Sequence, residues 1–279
     1  MKVLPFKIPK AKNIGLIYQE DKGLSFYDKL HQHEEIQICY VVKGEGTLIV
    51  GDTVNDYSDA TILVIGGNQP HVFKSDTSNI KNSFMMSLFF TKESFGDTFF
   101  ELDDFKELEM FFNNSRTSFK IINNKEKLIN CFNELPIGDD FDRFITFLKI
   151  IKLILKSDIE RLSTFLYTKK YTDNEGKRMG KVMDYTLNNY NKKIDLEEVS
   201  DVANMTPNAF CRYFKQRTNK TYFTFLNEIR VEKACKLLQN KEYLITEISE
   251  KSGFKNISNF NRKFKEIKGY TPSDYRANY

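Results

Sequence analysis

Two pairs of phenylalanines constrain this chain more than any other feature: Phe210 with Phe214, and Phe260 with Phe264, four residues apart within a pair and fifty between pairs. Residues i and i+4 share one face of a helix, so each pair predicts a short helix with a single buried side. A helix and a tight turn precede each pair. In the first copy Asp195 suits an N-cap, with Glu198 three residues on to complete a capping box. Leu196, Val199 and Val202 supply a buried face, and Asn204-Met205 makes the turn. Thr206 can cap the next helix, and Pro207 suits its first position, where no N–H is needed. Asn208, Cys211, Arg212 and Lys215 are then left outward. In the second copy Thr246–Ser252 is the first helix, Gly253-Phe254 the turn and Asn256 the cap, leaving Ser258, Asn259, Asn261, Arg262 and Lys265 outward. Both copies read as helix, turn, helix, with a basic polar face on the second helix.

The part of the chain that carries this duplication is also the basic part. Residues 176–279 hold 20 Lys and Arg against 12 Asp and Glu, a net +8, while residues 1–175 hold 22 against 26, a net −4. Lysine is abundant throughout, so the contrast between the two parts carries the point rather than the count. A basic domain joined to an acidic one fits a polyanionic partner for the basic half.

The N-terminal part reads differently. From residue 14 to about 90, short apolar runs such as Ile36–Val42 and Thr61–Ile65 alternate with turn signals at Lys43–Gly46, Gly51-Asp52 and Gly66–Asn68. Many short strands with frequent turns predict a sandwich or barrel. Helical spacing takes over at Glu101–Phe112, Lys125–Leu135 and Asp139–Lys156. The last helix carries a stripe of Phe141, Phe144, Ile145, Leu148, Ile151 and Leu155, widened by Phe147, Ile150 and Ile154. An apolar face that wide predicts contact with a second copy as well as with its own domain. Residues 169–177 are polar and aperiodic and read as a linker between a domain over 1–168 and one over 178–279.

No apolar run reaches the ~18 residues of a membrane span, and Met1–Phe6 lacks the apolar core of a signal peptide. The expectation is a cytoplasmic chain with no membrane partner. Cys39, Cys131, Cys211 and Cys235 lack CxxC spacing, which argues against zinc ribbons and disulfide frameworks.

The C-terminal hundred residues resemble the AraC/XylS family of regulators. Met205-Thr206…Phe210-Cys211-Arg212-Tyr213-Phe214-Lys215 is similar to the family's first recognition helix, and Arg230…Ala234…Leu237-Leu238 to its connecting helix. Gly253-Phe254…Ser258-Asn259-Phe260…Arg262-Lys263-Phe264-Lys265…Gly269-Tyr270-Thr271-Pro272-Ser273-Asp274-Tyr275-Arg276 resembles its most diagnostic run. Ser200 and Ser249 stand where the family usually has Ala, and Asn219 where Gly is usual. The resemblance implies double-stranded DNA as partner, contacted through Thr206, Asn208, Cys211, Arg212, Lys215, Ser258, Asn259, Asn261, Arg262 and Lys265.

His31-x-His33-x3-Gln37-x6-Gly44 resembles the first cupin motif, and Gly66-Gly67-Asn68-Gln69-Pro70-His71 the second. The implied architecture is an N-terminal cupin-like β-barrel with appended helices and a C-terminal all-α double helix-turn-helix. His31 and His33, one residue apart on a strand, share a face. His71 from a neighbouring strand can complete a facial set of nitrogens. Metal-binding cupins usually add a Glu, where this chain has Gln37. Three roles therefore stay open for the histidines: hydrogen bonding within the barrel, metal ligation, or contact with an organic ligand.

These readings converge on a sequence-specific transcription regulator modulated by a small-molecule or metal effector. His31, His33, Gln37, Tyr40 and His71 are the candidate effector contacts. A homodimer is expected, with RNA polymerase a further partner if the chain activates. No catalytic group, cofactor or metal is assigned. The rival reading is a cupin-type metal-dependent enzyme domain tethered to a DNA-binding domain.

Overall fold

The computed structural model describes residues 15–77, 82–163 and 172–277. The chain divides into two compact units, one built chiefly from residues before Gly176 and the other chiefly from Lys177–Tyr279.

In the first unit the strands are β1 (Ile17–Gly23), β2 (Ile36–Lys43), β3 (Gly46–Val50), β4 (Thr53–Tyr57), β5 (Thr61–Ile65), β6 (His71–Ser75), β7 (Ser83–Phe90), β8 (Phe119–Ile121) and β9 (Ile159–Arg161). The helices are α1 (Leu108–Ser115), α2 (Lys125–Glu134) and α3 (Asp140–Ile154). Among the described residues the strands form two sheets, ordered β1-β7-β2-β5-β8-β9 and β4-β3-β6. The expected closed barrel is not what these pairings make. Each sheet keeps two edges, and the sheets meet through side chains, so the unit is a β-sandwich with helices on one outer face. His31, before β2, forms an isolated bridge with His71 at the start of β6.

Strand β2 shows why its sequence, Gln37 and Lys43 apart, is almost wholly apolar. Ile36, Ile38 and Tyr40 point to one side, into a core shared with Phe111, Phe132, Phe147 and Ile151 of the helices. Cys39 and Val41 point to the other, into the space between the sheets with Leu48, Val50, Tyr57 and Phe73. A strand covered on both faces has no reason to alternate polar and apolar residues.

Three expectations need correction. Glu101–Phe112 is not one helix. Phe99–Glu101 and Asp103–Phe105 are 3-10 turns, and α1 starts only at Leu108. On α3 the core-facing set is Phe147, Ile150, Ile151 and Ile154, all buried, whereas Phe141 is 70% and Ile145 39% exposed. Positions 147, 150, 151 and 154 follow the i, i+3, i+4, i+7 rule, and Phe144, Leu148 and Leu155 pack partly buried against the same core. The proposed linker lies outside the described residues over 169–171, and from Asp173 it is the start of helix α4 (Asp173–Asn189). Thr172 and Glu175 make the reciprocal hydrogen bonds of a capping box, a start signal within an otherwise aperiodic stretch.

The second unit continues with α5 (Leu196–Val202), α6 (Pro207–Thr218), α7 (Tyr222–Leu238), α8 (Ile245–Lys251), α9 (Ile257–Lys268) and α10 (Pro272–Ala277). Among the described residues no helix is long and apolar enough to cross a membrane.

Candidate nucleic-acid interface and a buried histidine cluster

The duplication read from the phenylalanines is a duplication of backbone states. The turn between α5 and α6 passes through a left-handed residue, Asn204 (φ 52°), and the turn between α8 and α9 through Gly253 (φ 87°). Helices α6 and α9 end on left-handed Asn219 (φ 54°) and Gly269 (φ 80°). Asn and Gly are the residues that enter this region at least cost. Phe210, Phe214, Phe260 and Phe264 are all fully buried. Phe210 and Phe214 pack on Tyr222, whose hydroxyl meets Thr186 at 2.9 Å and whose pKa burial pushes up to about 12.

All ten outward residues are exposed: Thr206, Asn208, Cys211, Arg212 and Lys215 around α6, and Ser258, Asn259, Asn261, Arg262 and Lys265 on α9. The two faces differ in detail. Asn256 caps α9 by accepting from the Ser258 and Asn259 N–H groups at 2.8 and 3.2 Å. Thr206 holds the N-cap position of α6, but its side chain makes no cap hydrogen bond, contrary to expectation. Arg262 donates to Asn259 Oδ1 at 2.9 Å and lies 3.6 Å from Glu266. Glu266 also takes Lys263 at 2.8 Å, and these cations hold its carboxyl below the usual range. Helix α6 contains no Asp or Glu.

Helix α7 joins the two copies with charged groups that sequence reasoning did not single out for this role. Lys220, just past α6, pairs with Glu228 at 2.8 Å, and Lys268, at the end of α9, pairs with the buried Glu232 at 2.6 Å. Between them Arg230 donates to the Tyr190 carbonyl at 2.8 Å and the Lys192 carbonyl at 2.9 Å, with its guanidinium 5.8 Å from the Phe254 ring centroid. A Cβ at Gly253 would run into the same Tyr190 carbonyl. The spacing of Glu228 and Glu232, four residues apart on one helix, was the available signal.

In the first unit the two histidine motifs are zipped together by backbone. His31 N–H donates to the His71 carbonyl at 3.1 Å, His71 N–H to the His31 carbonyl at 2.9 Å, and Asn68 N–H to the His33 carbonyl at 2.7 Å. Gly67 permits this approach, because a Cβ there would meet the Glu34 carbonyl. All three rings are buried, His71 completely. In each, Nδ1 lies 2.8 Å from a carbonyl two residues away, that of Lys29, Glu35 or Gln69. A carbonyl only accepts, so Nδ1 carries the proton and, in a neutral ring, Nε2 carries the lone pair. Ring nitrogens of the three lie within 4.8 Å of one another. Gln37 Oε1 is 3.4 Å from His33 Nε2, and Gln37 Nε2 donates to Ser87 Oγ at 3.0 Å.

Tyr40 does not join this group. Residues 37 and 40 fall on opposite faces of β2, since side chains alternate along a strand. Tyr40 packs on Phe132 of α2, with ring centroids 5.5 Å apart, and burial raises its pKa. A cleft of about 630 Å³ in the same unit is lined by other residues, among them Glu34, Asn68, Lys92, Phe100, Phe112 and Arg116.

A family model described as a helix-turn-helix domain matches residues 199–278. The chain is 33% identical over 99 residues to the HTH-type transcriptional regulator YdeC of Bacillus subtilis (strain 168), covering 36% of this chain and 34% of YdeC. It is 24% identical over 144 residues to the HTH-type transcriptional activator RhaS of Escherichia coli O1:K1, covering 52% and 48%. The chain thus spans about a third to a half of these curated relatives. Among solved structures, the DNA-binding domain of AdpA in complex with a target DNA is 28% identical, with TM-score 0.34, covering 35% of this chain and 88% of that one. ToxT from Vibrio cholerae is 14% identical with TM-score 0.36, covering 94% and 98%.

Proposed function

We propose, from the premise that residues 199–278 match a helix-turn-helix domain, that this domain is of the AraC DNA-binding type and that the whole chain is a cytoplasmic regulator of transcription. The observation that carries this reading is the pair of matched helices α6 and α9, each presenting an exposed polar face. Two such helices on one scaffold suit successive major grooves, about 34 Å apart. Arg212 and Arg262 occupy matching positions for two-pronged contacts to guanine, and Lys215 and Lys265, a turn on, suit phosphates. Binding-site selection on the wild type and on Arg212→Ala and Arg262→Ala tests this. Each variant is expected to relax preference at its own base positions. Uniform loss of affinity with unchanged preference would make both arginines phosphate clamps instead.

The N-terminal unit is the proposed sensor, and its cupin-like character rests on the two histidine motifs. An effector acts there only through different affinities for two states of the chain. His31, His33, Gln37 and His71 are its proposed contacts. The donor set also fits a divalent transition metal, because imidazoles that give Nδ1–H to carbonyls present Nε2 as ligand, the usual arrangement around metal-bound histidine. His31, His33 and His71 would hold the ion, with the Gln37 amide oxygen near His33. The ion would supply positive charge within this buried cluster. Equilibrium dialysis of the full chain against Zn²⁺ and Co²⁺ tests this second reading. About one ion per chain, lost in His33→Ala, is expected; no retention by folded protein leaves an organic effector or a structural role.

A homodimer through the exposed residues Phe141 and Ile145 of α3, with Ile137 in the turn before it, completes the reading. Sedimentation of the full chain with and without Phe141→Asp tests it, with conversion to monomer expected.

A further inference from the structure

We propose that Arg230 is a positioning residue that sets the pitch between the two recognition helices, so that the spacing of the two contact segments on DNA is itself read. The inference rests on the DNA-binding reading above and goes beyond it. Arg230 lies at the middle of α7, between Glu228 and Glu232, which hold Lys220 and Lys268 at the far ends of α6 and α9. Its guanidinium reaches two carbonyls, Tyr190 and Lys192, in the segment joining α4 to α5 of the first copy. Its plane lies near Phe254, in the turn of the second copy. The segment it grips sits so close to that turn that Gly253 has no room for a side chain. One half-buried side chain therefore joins the entry to the first helix-turn-helix to the turn of the second. A guanidinium suits this role because it is planar and donates in two directions at once, which an ammonium does not reproduce.

A rigid pair of readers is intolerant of altered spacing. One inserted base pair moves the second contact segment by about 3.4 Å and rotates it by about a tenth of a turn. The test uses full-length protein on a selected operator and on the same operator with one base pair inserted or deleted between the two contact segments. Wild type is expected to lose about 100-fold on either altered spacing. Arg230→Ala is expected to bind the correct spacing more weakly and to lose less than about tenfold on the altered ones, with Arg230→Lys between the two. Gly253→Ala, which forces the same contact apart, is expected to flatten the spacing preference too and serves if Arg230→Ala does not fold. A spacing penalty in the folded variants equal to that of wild type would overturn the proposal and leave Arg230 a stabilising residue only. Wild type indifferent to spacing would overturn it as well. Failure of wild type to select any DNA would instead sink the DNA-binding reading.

Discussion

The two helix-turn-helix copies share a backbone and differ in how their outward faces are furnished. In the first, α6 carries no acidic residue and starts on a Thr206 whose side chain makes no cap. In the second, α9 starts on a fully engaged Asn256, and Arg262 is held sideways between Asn259 and Glu266. The duplicated features are the ones that build the fold: inward phenylalanines, left-handed turn residues and lysines paired to α7. The features that differ lie on the exposed face, where a change costs the fold little. A repeated scaffold can therefore present two unlike surfaces to two segments of DNA.

The largest effect should come from the shared part. Phe210→Ala and Phe260→Ala each remove a fully buried ring, and each should cost about 3–5 kcal/mol of stability in urea unfolding. Equal costs would sharpen the view of equivalent cores, and a difference above about 2 kcal/mol would break it. Base reading comes next. Arg212→Ala should weaken binding to a selected operator by about 2 kcal/mol, and Arg262→Ala by about 1, both within the range for a two-pronged contact. Arg262 must leave Asn259 and Glu266 to reach a base, which lowers its net contribution. A larger loss for Arg262 in a filter-binding titration would mean that those neighbours orient it rather than hold it back.

Helix capping separates the copies more finely. Asn256→Ala should lower stability by about 1 kcal/mol, whereas Thr206→Ala should change it by less than about 0.3. Thermal unfolding of both variants checks this, and equal losses would mean that Thr206 caps in solution. The smallest effect belongs to Glu266→Gln. Removing an exposed carboxylate beside Arg262 and Lys263 should raise DNA affinity by no more than about threefold, most visibly at low salt. A fall in affinity would show that the carboxylate orients Arg262.

The paired helix-turn-helix was largely legible because its signals are local, although the cap expected of Thr206 is not made. Caps, turn residues and inward positions fall within a few residues of one another, and Arg230, Ala234, Leu237 and Leu238 all lie on one helix, α7, as the resemblance implies. The sandwich was less legible. Strand β8 is only three residues long, and β9 follows a helix, so neither carries enough pattern to stand out. Tyr40 was misplaced for a simpler reason: a buried strand is apolar on both faces, so hydrophobicity cannot tell which residues share a side with Gln37. Counting by twos from Gln37 would have excluded it. The start of α4 was hidden because a polar first turn looks like a linker until its Thr172–Glu175 cap is noticed.

What the sequence determined by itself was the paired helix-turn-helix, the outward identity of its ten polar residues and the presence of two histidine motifs. Each follows from periodicity and capping over short stretches, where the backbone leaves few alternatives. Only the tertiary structure decided that His31, His33 and His71 meet, which face of β2 looks between the sheets, and that Arg230 joins the two copies. Those facts depend on pairing segments far apart in the chain, such as residue 31 with 71 and residue 230 with 190. Burial of the whole apolar surface selects such pairings, and no short window of sequence contains that information.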